Sequence, residues 1–302
     1  MIRGAYRLAA EACAESVWRV PALERVFIGF GKWAWTRPGV GRFYRSAAHR
    51  LAERMRRSQS PFRTVTIHGQ RLVFDVTEFT THSLYFGGSM YEPDTTAYFA
   101  KVLGPGRAFV DIGANHGYFS VLAASLVGKS GRVVAFEPNP KIFRQLRTHV
   151  ALNGFDDRVR LLPSALADAP GEARLFVSQD ALNSGLSSLT PASEHLESGS
   201  LSEAHTVSVP VDTFDHWFSS SGLSRVDLMK IDVEGAEGLV LQGMSAALQT
   251  DAIRAIILET AWGGPAHLVL CEAGFEPQML DSAGVLANVL YTKRGAGGQA
   301  PD

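Results

Sequence analysis

Cysteine is scarce in this chain of 302 residues, which contains two, Cys13 and Cys271. Two cysteines cannot build the disulfide framework of a small secreted domain, and neither has a second cysteine at metal-ligand spacing. These absences exclude a disulfide scaffold and a zinc site built from cysteines. The simplest interpretation is a protein of a reducing compartment.

Long apolar runs are also missing. No stretch reaches the roughly 20 consecutive apolar residues that a membrane-spanning helix needs. Glu11 and Glu15 interrupt the amino-terminal segment where a signal peptide would require an unbroken apolar region. We therefore expect a cytoplasmic protein that is not exported.

Neither sign of charge is in large excess, since the net charge is −1, but the charges are unevenly distributed. Residues 1–60 contain 12 Lys or Arg and 4 Asp or Glu, a net charge of +8, which leaves −9 for the remainder. Three of the five tryptophans, Trp18, Trp33 and Trp35, lie in this basic segment. We expect a helical extension that either caps the catalytic domain or a partner subunit, or makes peripheral contact with an anionic membrane.

The clearest motif is FVDIGANHGYFS at residues 109–120. Ala108 to Ile112 is an apolar run typical of a strand covered on both faces, and Gly113 and Gly117 allow a tight turn beneath a ligand. A helical pattern begins at Tyr118. A strand, an acid, a glycine turn and a helix in this order are typical of a nucleotide-type cofactor site.

A second strand, Arg132 to Phe136, is followed by Glu137, 26 residues after Asp111, where a carboxylate can accept both hydroxyls of a ribose. The closely spaced glycines of a nicotinamide site, G-x-G-x-x-G, are missing, because the order here is DIGANHG. An acid before the first glycine suits a cofactor with an ammonium group better than one with two phosphates. S-adenosylmethionine has an ammonium group, a ribose and no phosphate, so the motif favours it over a nicotinamide cofactor.

The third motif, VDLMKIDVEGAE at residues 226–237, places Lys230, Asp232, Glu234 and Glu237 around the end of another strand. Carboxylates there can act as a general base, as ligands of a divalent metal, or as holders of the cofactor's methionine end. Their spacing does not choose between these roles.

Taken in order, FVDIGANHGYFS, AFEPNP, NSGLSSL, VPVDTFD and KIDVEGAE resemble the FkbM-type family of methyltransferases, over about residues 91–291. The resemblance implies a class I S-adenosylmethionine-dependent enzyme that methylates a hydroxyl of a sugar, glycolipid or secondary metabolite. It also implies that Glu137, with its neighbour Pro138, lies at the ribose and that Ser164 and Ala165 lie by the adenine. The residues implied for the methionine part are Asp111, Gly113, Asn115 and Gly117.

Two further segments match the family. Glu92 corresponds to an element near the cofactor, although the nearby Asp94 is also a candidate N-cap for a helix beginning around Thr95. Asn183 and Ser188 match the family's loop within a long connection rich in serine, which we expect to form a lid or a wall for the methyl acceptor.

The predicted catalytic residues surround the third motif. Asp232 is the first candidate for general base or metal ligand, with Glu234 supporting it. Lys230 either orients the acceptor hydroxyl or forms a salt bridge to Glu259 or Glu234. Glu259 ends the strand AIRAIILE at the same sheet edge, which favours an active-site role. His116 either acts as a base or contacts the cofactor as part of the turn.

Strand and helix patterns alternate from Ala108 to Glu259, which predicts a Rossmann-like, mostly parallel sheet with helices on both faces. Phe275 to Leu280 and Ala287 to Thr292 predict an antiparallel edge hairpin, typical of class I methyltransferases. The predicted organisation is the extension 1–60, a hairpin and lead-in 61–94, the methyltransferase domain 95–294 and a flexible tail 295–302.

Two other function classes stay open at this point. A nicotinamide-dependent oxidoreductase is disfavoured by the missing G-x-G pair, and a non-catalytic S-adenosylmethionine-binding module is disfavoured by the acidic cluster. We expect no nucleic-acid partner, because no N-P-P-Y type of turn follows the strand ending at Asp232 and the chain after residue 60 is net acidic. The expected partner is a small-molecule or glycan hydroxyl acceptor.

Overall fold

The computed structural model of the chain describes residues 2–88, 91–178, 187–190, 205–283 and 286–294. These residues form two compact units. The amino-terminal unit contains residues 2–67, 71–88 and Tyr91; the sheet unit contains residues 68–70 and every described residue from Glu92 onward. The predicted tail lies outside the described residues, and the predicted domain boundaries stay predictions.

Helices dominate the amino-terminal unit. They are α1 (Ile2–Arg19), α2 (Pro21–Ala34), α3 (Val40–Arg57) and α4 (Phe79–His82). α4 continues as a π-helical turn (Ser83–Gly87). Between α3 and α4 in the sequence, the chain forms a hairpin of β1 (Phe62–Ile67) and β2 (Gln70–Asp75). Small and apolar side chains at helical spacing build the core, among them Ala10, Ala14, Val17, Ala48, Leu51 and Met55. The predicted helical extension is confirmed.

Seven strands of the sheet unit form one sheet in the order β11-β12-β10-β9-β3-β4-β5. Their bounds are β3 (Ala108–Ile112), β4 (Arg132–Phe136), β5 (Val159–Leu162), β9 (Leu228–Ile231), β10 (Ala255–Ala261), β11 (Phe275–Ala283) and β12 (Leu286–Lys293). The strands from β10 to β5 pair in parallel, and every residue of β3 and β9 is buried. Burial of both strand faces explains why the residues of these two strands other than Asp111 and Lys230 are apolar.

The carboxyl-terminal strands depart from the parallel pattern. β12 runs antiparallel to both β10 and β11, between which it lies. A two-halved dinucleotide-binding sheet has the order 3-2-1-4-5-6 and no such inserted strand. The predicted class I methyltransferase architecture, with its antiparallel edge hairpin, is therefore confirmed.

Helices of the sheet unit complete the core. They are α5 (Pro93–Val102), α6 (Tyr118–Val127), α7 (Pro140–Leu152), α8 (Phe214–Ser220), α9 (Glu237–Gln242), α10 (Ser245–Leu248) and α11 (Pro265–Glu272). A large apolar cluster joins strand residues such as Val110, Met229 and Ile256 to helix residues such as Trp217 and Leu270. Among the described helices of both units, none has the length and apolar character needed to cross a membrane.

A second, three-stranded sheet lies in the same unit. The sequence favours strands at Arg174 to Val177 and at Val207 to Val211, but it does not predict their pairing in a separate sheet. Its strands are β6 (Ala165–Leu166), β7 (Gly171–Phe176) and β8 (Thr206–Asp212), in the order β6-β8-β7. The third strand of the main sheet, predicted over Arg158 to Pro163, ends at Leu162. Pro163 has no N–H to donate to a ladder, so the chain leaves the main sheet there and joins the second at Ala165.

The start of α5 differs from the prediction. The helix begins at Pro93, so Asp94 lies inside its first turn and is not the N-cap. The backbone N–H groups of Asp94 and Thr95 instead donate to the carboxylate of Asp281 on β11, at 3.0 and 2.7 Å. A residue 186 positions away in the sequence from Thr95 thus satisfies the helix terminus, which no local pattern reveals.

Candidate active site

The predicted site residues meet at one edge of the main sheet. Ile112 on β3 pairs with Phe136 on β4 and with Ile231 on β9, and Ile231 in turn pairs with Leu258 on β10. Because these strands are parallel and in register, the residues that follow them emerge side by side. Asp232, Glu137 and Glu259 therefore share this edge with the glycine turn after β3.

Two glycines shape that turn. Gly113 has φ +81°, and a Cβ there would lie 1.9 Å from the carbonyl oxygen of Asp232. Gly117 has φ +86°, and a Cβ there would lie 2.4 Å from Leu146 Cδ1. A larger residue at Gly113 would collide with fixed backbone, and at either position it would have to adopt a left-handed conformation, which favours glycine. The turn after β3 consequently packs directly against the turn after β9.

Asp111 lies inside β3, with 2% of its surface exposed. Ser120 Oγ donates a hydrogen bond of 2.5 Å to its Oδ2. Burial raises the pKa of the Asp111 carboxyl to about 6, against the opposing effects of the Ser120 hydrogen bond and the Lys230 charge. The resemblance implies that this carboxylate holds the cofactor's methionine part, and the structure shows it linked to the first turn of α6.

Asn115 and His116 form the middle of the turn. Asn115 adopts φ +50°, a conformation that asparagine tolerates better than most residues. Its side-chain Oδ1 is buried and has no hydrogen-bond donor within the described part of the chain. The carbonyl of His116 lies 2.6 Å from His149 Nδ1, an arrangement in which that nitrogen donates. His116 thus acts at least through its backbone in fixing the turn.

Glu137 follows β4 and is held by two backbone donors. Its Oε2 accepts from Asn115 N at 2.9 Å, and its Oε1 accepts from Asn139 N at 2.8 Å. Burial raises the pKa of the Glu137 carboxyl to about 7, although both hydrogen bonds act in the opposite direction. Each oxygen has a second lone pair, so the fixed carboxylate can still accept from two hydroxyls. Pro138 is half-buried between Glu137 and Asn139, the N-cap of α7.

Ser164 and Ala165 lie where β5 gives way to β6. Ser164 is half-buried, and Ala165 is buried in a small apolar cluster with Ala167 and Val211. Ser164 follows the strand adjacent to Glu137, since β5 pairs with β4. The implied adenine contact of these two residues stays a prediction.

Of the two predicted site residues in the serine-rich connection, Ser188 is among the described residues and Asn183 lies outside them. Ser188 Oγ donates to the carbonyl of Glu234 at 2.6 Å and accepts from Thr190 N at 3.0 Å. Thr190 Oγ1 donates to the carbonyl of Gly235 at 2.9 Å. The connection is therefore fastened at this point to the acidic turn after β9.

Lys230 lies at the centre of the charged groups, and 2% of its surface is exposed. Its Nζ lies 2.7 Å from Asp232 Oδ2, 3.8 Å from Glu92 Oε1 and 4.9 Å from the centre of the Phe119 ring. The structure shows a salt bridge to Asp232, a partner that the sequence did not suggest, while the suggested salt bridge to Glu259 or Glu234 stays a prediction. Glu92 is brought to the same place from the residue before α5, where it adopts φ +45°.

Three carboxylates crowd the acidic turn. Oxygen atoms of Asp232, Glu234 and Glu259 all lie within 4.8 Å of one another. Burial, followed by the charges of Asp232 and Glu237, raises the pKa of Glu234 to about 7. Burial, followed by the charges of Asp232 and Glu234, raises the pKa of Glu259 to about 8. Two carboxyl groups of this cluster therefore exchange protons near neutral pH.

Sequence reasoning missed several residues that support the site. Ser120 fixes Asp111, the Phe119 ring lies beside Lys230, and Asn139 both binds Glu137 and begins α7. Ser120 and Phe119 stand within the motif already recognised, and Asn139 stands before a proline, as N-caps often do. Their positions are visible in the sequence, but their partners depend on the fold.

Comparison with known proteins agrees with this site. The model of the family described as "Methyltransferase FkbM domain" matches residues 111–277. The chain is 32% identical over 144 residues to 2-O-methyltransferase NoeI of Sinorhizobium fredii and 28% identical over 176 residues to methyltransferase sdnD of Sordaria araneosa. These alignments cover 46% and 50% of this chain, and 58% and 65% of the two relatives.

Two further likenesses are more limited. The chain is 32% identical over 186 residues to AMB antimetabolite synthetase AmbE of Pseudomonas aeruginosa, an alignment over 52% of this chain and 8% of that protein. A solved SAM-dependent O-methyltransferase of Thermotoga maritima aligns over 77% of this chain and 78% of its own, at 13% identity and a TM-score of 0.42. A likeness of that size adds nothing about the reaction.

The family model begins at Asp111, covers the glycine turn, Glu137 and the acidic turn, and reaches past Glu259. The alternative of a nicotinamide-dependent oxidoreductase is thereby set aside. The chain belongs to the FkbM family of S-adenosylmethionine-dependent methyltransferases.

Proposed function

We propose that the protein methylates a hydroxyl oxygen of a sugar, glycolipid or secondary metabolite. The observation that carries this proposal is the cluster of Asp232, Glu234 and Glu259 in direct contact with the glycine turn of the cofactor site. The printed name of the relative NoeI, a 2-O-methyltransferase, supports a hydroxyl acceptor.

The residues after β3 and β4 fit S-adenosylmethionine. The buried Asn115 Oδ1 can accept from an ammonium or hydroxyl group, and the Glu137 carboxylate can accept from ribose hydroxyls. Gly113 and Gly117 keep side chains out of the turn. The bound cofactor supplies a methyl group on a positively charged sulfur.

The chain's own contribution is to hold the acceptor and receive its proton. Alignment of the acceptor oxygen with the cofactor provides a large part of the rate enhancement in such a transfer. A hydroxyl must lose its proton as its oxygen forms the new bond to carbon, so a nearby base is needed. Glu234 and Glu259 have pKa values of about 7 and 8, which suits them to that task near neutral pH. Lys230 fixes Asp232 by the 2.7 Å contact between them.

A transfer assay tests this function. The full chain is incubated with S-adenosylmethionine labelled in its methyl group and with a panel of glycosides, lipid-linked sugars and hydroxylated small molecules. We expect label in an alkali-stable ether, and we expect it to be lost in Asp232→Ala but kept in Glu276→Gln, which changes an exposed acid on β11. Label in an ester or an amine would contradict hydroxyl methylation.

A further inference from the structure

We propose that Asp232, Glu234, Glu259 and Asn288 form a binding site for a hard divalent cation of the Mg²⁺ or Mn²⁺ class. The cation's role in the reaction rests on the function proposed above, but its binding does not. The inference combines two observations, the clustered carboxylates and a buried amide on the neighbouring strand.

The carboxylates come from β10, which carries Glu259, and from the turn after the adjacent β9, which carries Asp232 and Glu234. Ile231 pairs with Leu258 in the parallel β9–β10 ladder, so Asp232 and Glu259, one residue further along, stand next to each other. Glu234 follows in the turn, where its backbone has φ +53° and its carbonyl is held by Ser188. The three oxygen atoms within 4.8 Å are thus positioned by strands and by hydrogen bonds.

Ionisation of Glu234 and Glu259 makes this cluster negative. Lys230 contacts Asp232 at 2.7 Å and also approaches Glu92 at 3.8 Å. One lysine therefore serves two carboxylates, while Glu234 and Glu259 add two more negative charges when ionised. A divalent cation between the three carboxylates would remove their mutual repulsion.

Asn288 provides the independent observation. It lies on β12 directly opposite Glu259 in the antiparallel β10–β12 pair, so both side chains stand on the same face of the sheet. Asn288 is 7% exposed, and its Oδ1 has no hydrogen-bond partner among the residues that the structure describes. A buried amide oxygen without a donor is rare and calls for an explanation. Coordination of a cation explains it.

The types of donor atom indicate which cation the site would bind. Three carboxylate oxygens and one amide oxygen suit Mg²⁺ or Mn²⁺, whereas the site offers none of the sulfur or imidazole ligands that zinc favours. In an octahedral magnesium site, with ligands about 2.1 Å from the ion, adjacent oxygens are about 3 Å apart and opposite ones about 4.2 Å. The three carboxylate oxygens, which lie within 4.8 Å of one another, would draw closer together on binding the ion.

A cation here would also act on the acceptor. A hydroxyl bound to a divalent cation loses its proton more readily, because the metal stabilises the negative oxygen. The proton leaves the hydroxyl oxygen for a carboxylate oxygen of the cluster that does not bind the metal. The site would therefore prepare the acceptor oxygen at the sheet edge that also carries the cofactor turn.

Binding of Mn²⁺ to the full chain, followed through the loss of the free-ion signal in electron paramagnetic resonance, tests the site. We expect one saturable Mn²⁺ per chain, at least tenfold weaker binding in Glu259→Gln and in Asn288→Leu, and retained binding in Asn288→Asp, which keeps an oxygen ligand. Glu276→Gln is the control and should bind as the wild type does. Circular dichroism of each variant checks that the fold is intact.

The outcomes separate this inference from the proposed function. Saturable Mn²⁺ binding that Glu259→Gln weakens supports the site even if no methyl acceptor is found. Absent Mn²⁺ binding, or equal binding in the wild type, Glu259→Gln and Asn288→Leu, overturns the site. Methyl transfer that continues unchanged in excess EDTA would overturn the cation's catalytic role while leaving the methyltransferase assignment in place.

A different observation, in the amino-terminal unit, carries a second inference. Leu23, Val26, Phe30 and Trp33 recur along one side of α2 and are 39%, 67%, 45% and 51% exposed. Phe27, Gly31 and Ala34 are buried on the adjacent face of the same helix. The helix therefore presents an apolar stripe that the described chain leaves uncovered, which is unusual for a helix of a soluble domain.

Basic groups border this stripe. Arg25 and Lys32 are exposed beside it, and the Arg37 guanidinium lies 4.6 Å from the centre of the Trp33 ring. Residues 1–60 carry the net charge of +8. An apolar face with Trp and Phe, flanked by Lys and Arg, is the pattern of a helix lying in the interface of an anionic bilayer. We infer that the α2 stripe binds the surface of a membrane rich in anionic lipid.

Co-sedimentation with vesicles tests the second inference. The wild type should bind vesicles of 30% phosphatidylglycerol in phosphatidylcholine, and the bound fraction should fall at least fivefold at high salt. The double variant Val26→Ser with Phe30→Ser should not bind. Leu268→Ser is the matched control, because Leu268 is an equally apolar residue, 53% exposed on α11 of the sheet unit. Equal sedimentation of both variants would overturn the inference. So would self-association of the wild type without lipid that the double variant disperses, since the stripe would then be a contact between copies of the chain.

Discussion

The two turns at the carboxyl edge of the sheet hold their carboxylates in different ways. After β4, Glu137 accepts two backbone N–H bonds, and inside β3, Asp111 accepts from Ser120. After β9, Asp232 and Glu234 meet Glu259 of β10, with oxygen atoms of all three within 4.8 Å of one another. The first arrangement fixes each acid in one orientation, as recognition of a cofactor requires. The second leaves excess negative charge to be met by a proton or a cation, as chemistry on an acceptor requires.

We expect the largest effect from a substitution at Gly113, which disturbs the turns after β3 and β9 at once. In Gly113→Ala the new Cβ would lie 1.9 Å from the Asp232 carbonyl oxygen, at a φ of +81° that alanine disfavours. We expect a loss of about 3 kcal/mol or more of unfolding free energy, together with loss of S-adenosylhomocysteine binding. Gly154→Ala is the control, since Gly154 also has a positive φ but a Cβ there would meet nothing within 4 Å. It should cost roughly 1 to 2 kcal/mol and leave binding intact. Urea denaturation that shows equal losses in the two variants would mean that the turns do not press on each other.

The second prediction separates chemistry from cofactor binding. Asp232→Ala removes a carboxylate from the acidic turn and its contact with Lys230, so turnover should fall by about 10²-fold or more, the usual contribution of an acid–base group. Affinity for S-adenosylhomocysteine should stay within a few-fold. Calorimetry and the transfer assay measure the two quantities on the same preparation. A loss of cofactor binding instead would assign Asp232 to the cofactor.

The third prediction is the converse. In Glu137→Gln one acceptor oxygen becomes an NH₂ group that faces a backbone N–H, and one ribose partner is lost. We expect affinity for S-adenosylhomocysteine to fall by about 10- to 100-fold, because a buried donor is left unsatisfied. Turnover at saturating cofactor should change far less. An unchanged affinity would show that Glu137 is a structural acid of the turn.

The smallest effect is on stability against pH. The pKa values of Glu234 and Glu259 are raised by burial to about 7 and 8, so between about pH 5 and 8 the folded chain binds more protons at these groups than the unfolded chain. Unfolding free energy should therefore fall as pH rises through this window. Urea titrations at pH 5 and pH 8 should show a smaller fall in Glu259→Gln. A fall of the same size in wild type and variant would contradict the predicted proton uptake by Glu259.

Much of the cofactor edge could be predicted from the sequence. β3 and β4 have the predicted bounds, because their apolar runs, the glycines after β3 and the prolines after β4 are local features. The partners of the charged groups could not be predicted. Lys230 pairs with Asp232, two residues away, and Asp281 holds the start of α5 from the far edge of the sheet. The contact with Asp281 is set by strand order and register, which local patterns do not encode. The contact of Lys230 is between near neighbours, but the sequence offers several carboxylates there and does not distinguish between them.

The second sheet and Asn288 illustrate the same limit. The short pairing of Ala165–Leu166 with β8 depends on where Pro163 releases the chain from the main sheet. Asn288 lies in a segment whose sequence predicts only an apolar strand of the edge hairpin. It becomes a candidate ligand only because Glu259 lies opposite it in the sheet. Residues whose role depends on a neighbour across strands need the structure to identify them.

Calorimetric titration of the purified chain with S-adenosylhomocysteine, with NADH as the comparison ligand, tests the central claim most directly. The claim is that the turn after β3 and the carboxylate after β4 form an S-adenosylmethionine site beside an acidic cluster. The expected result is one binding site of micromolar affinity for S-adenosylhomocysteine and no heat of binding for NADH. Binding of NADH, or no binding of S-adenosylhomocysteine by a folded chain, would contradict it.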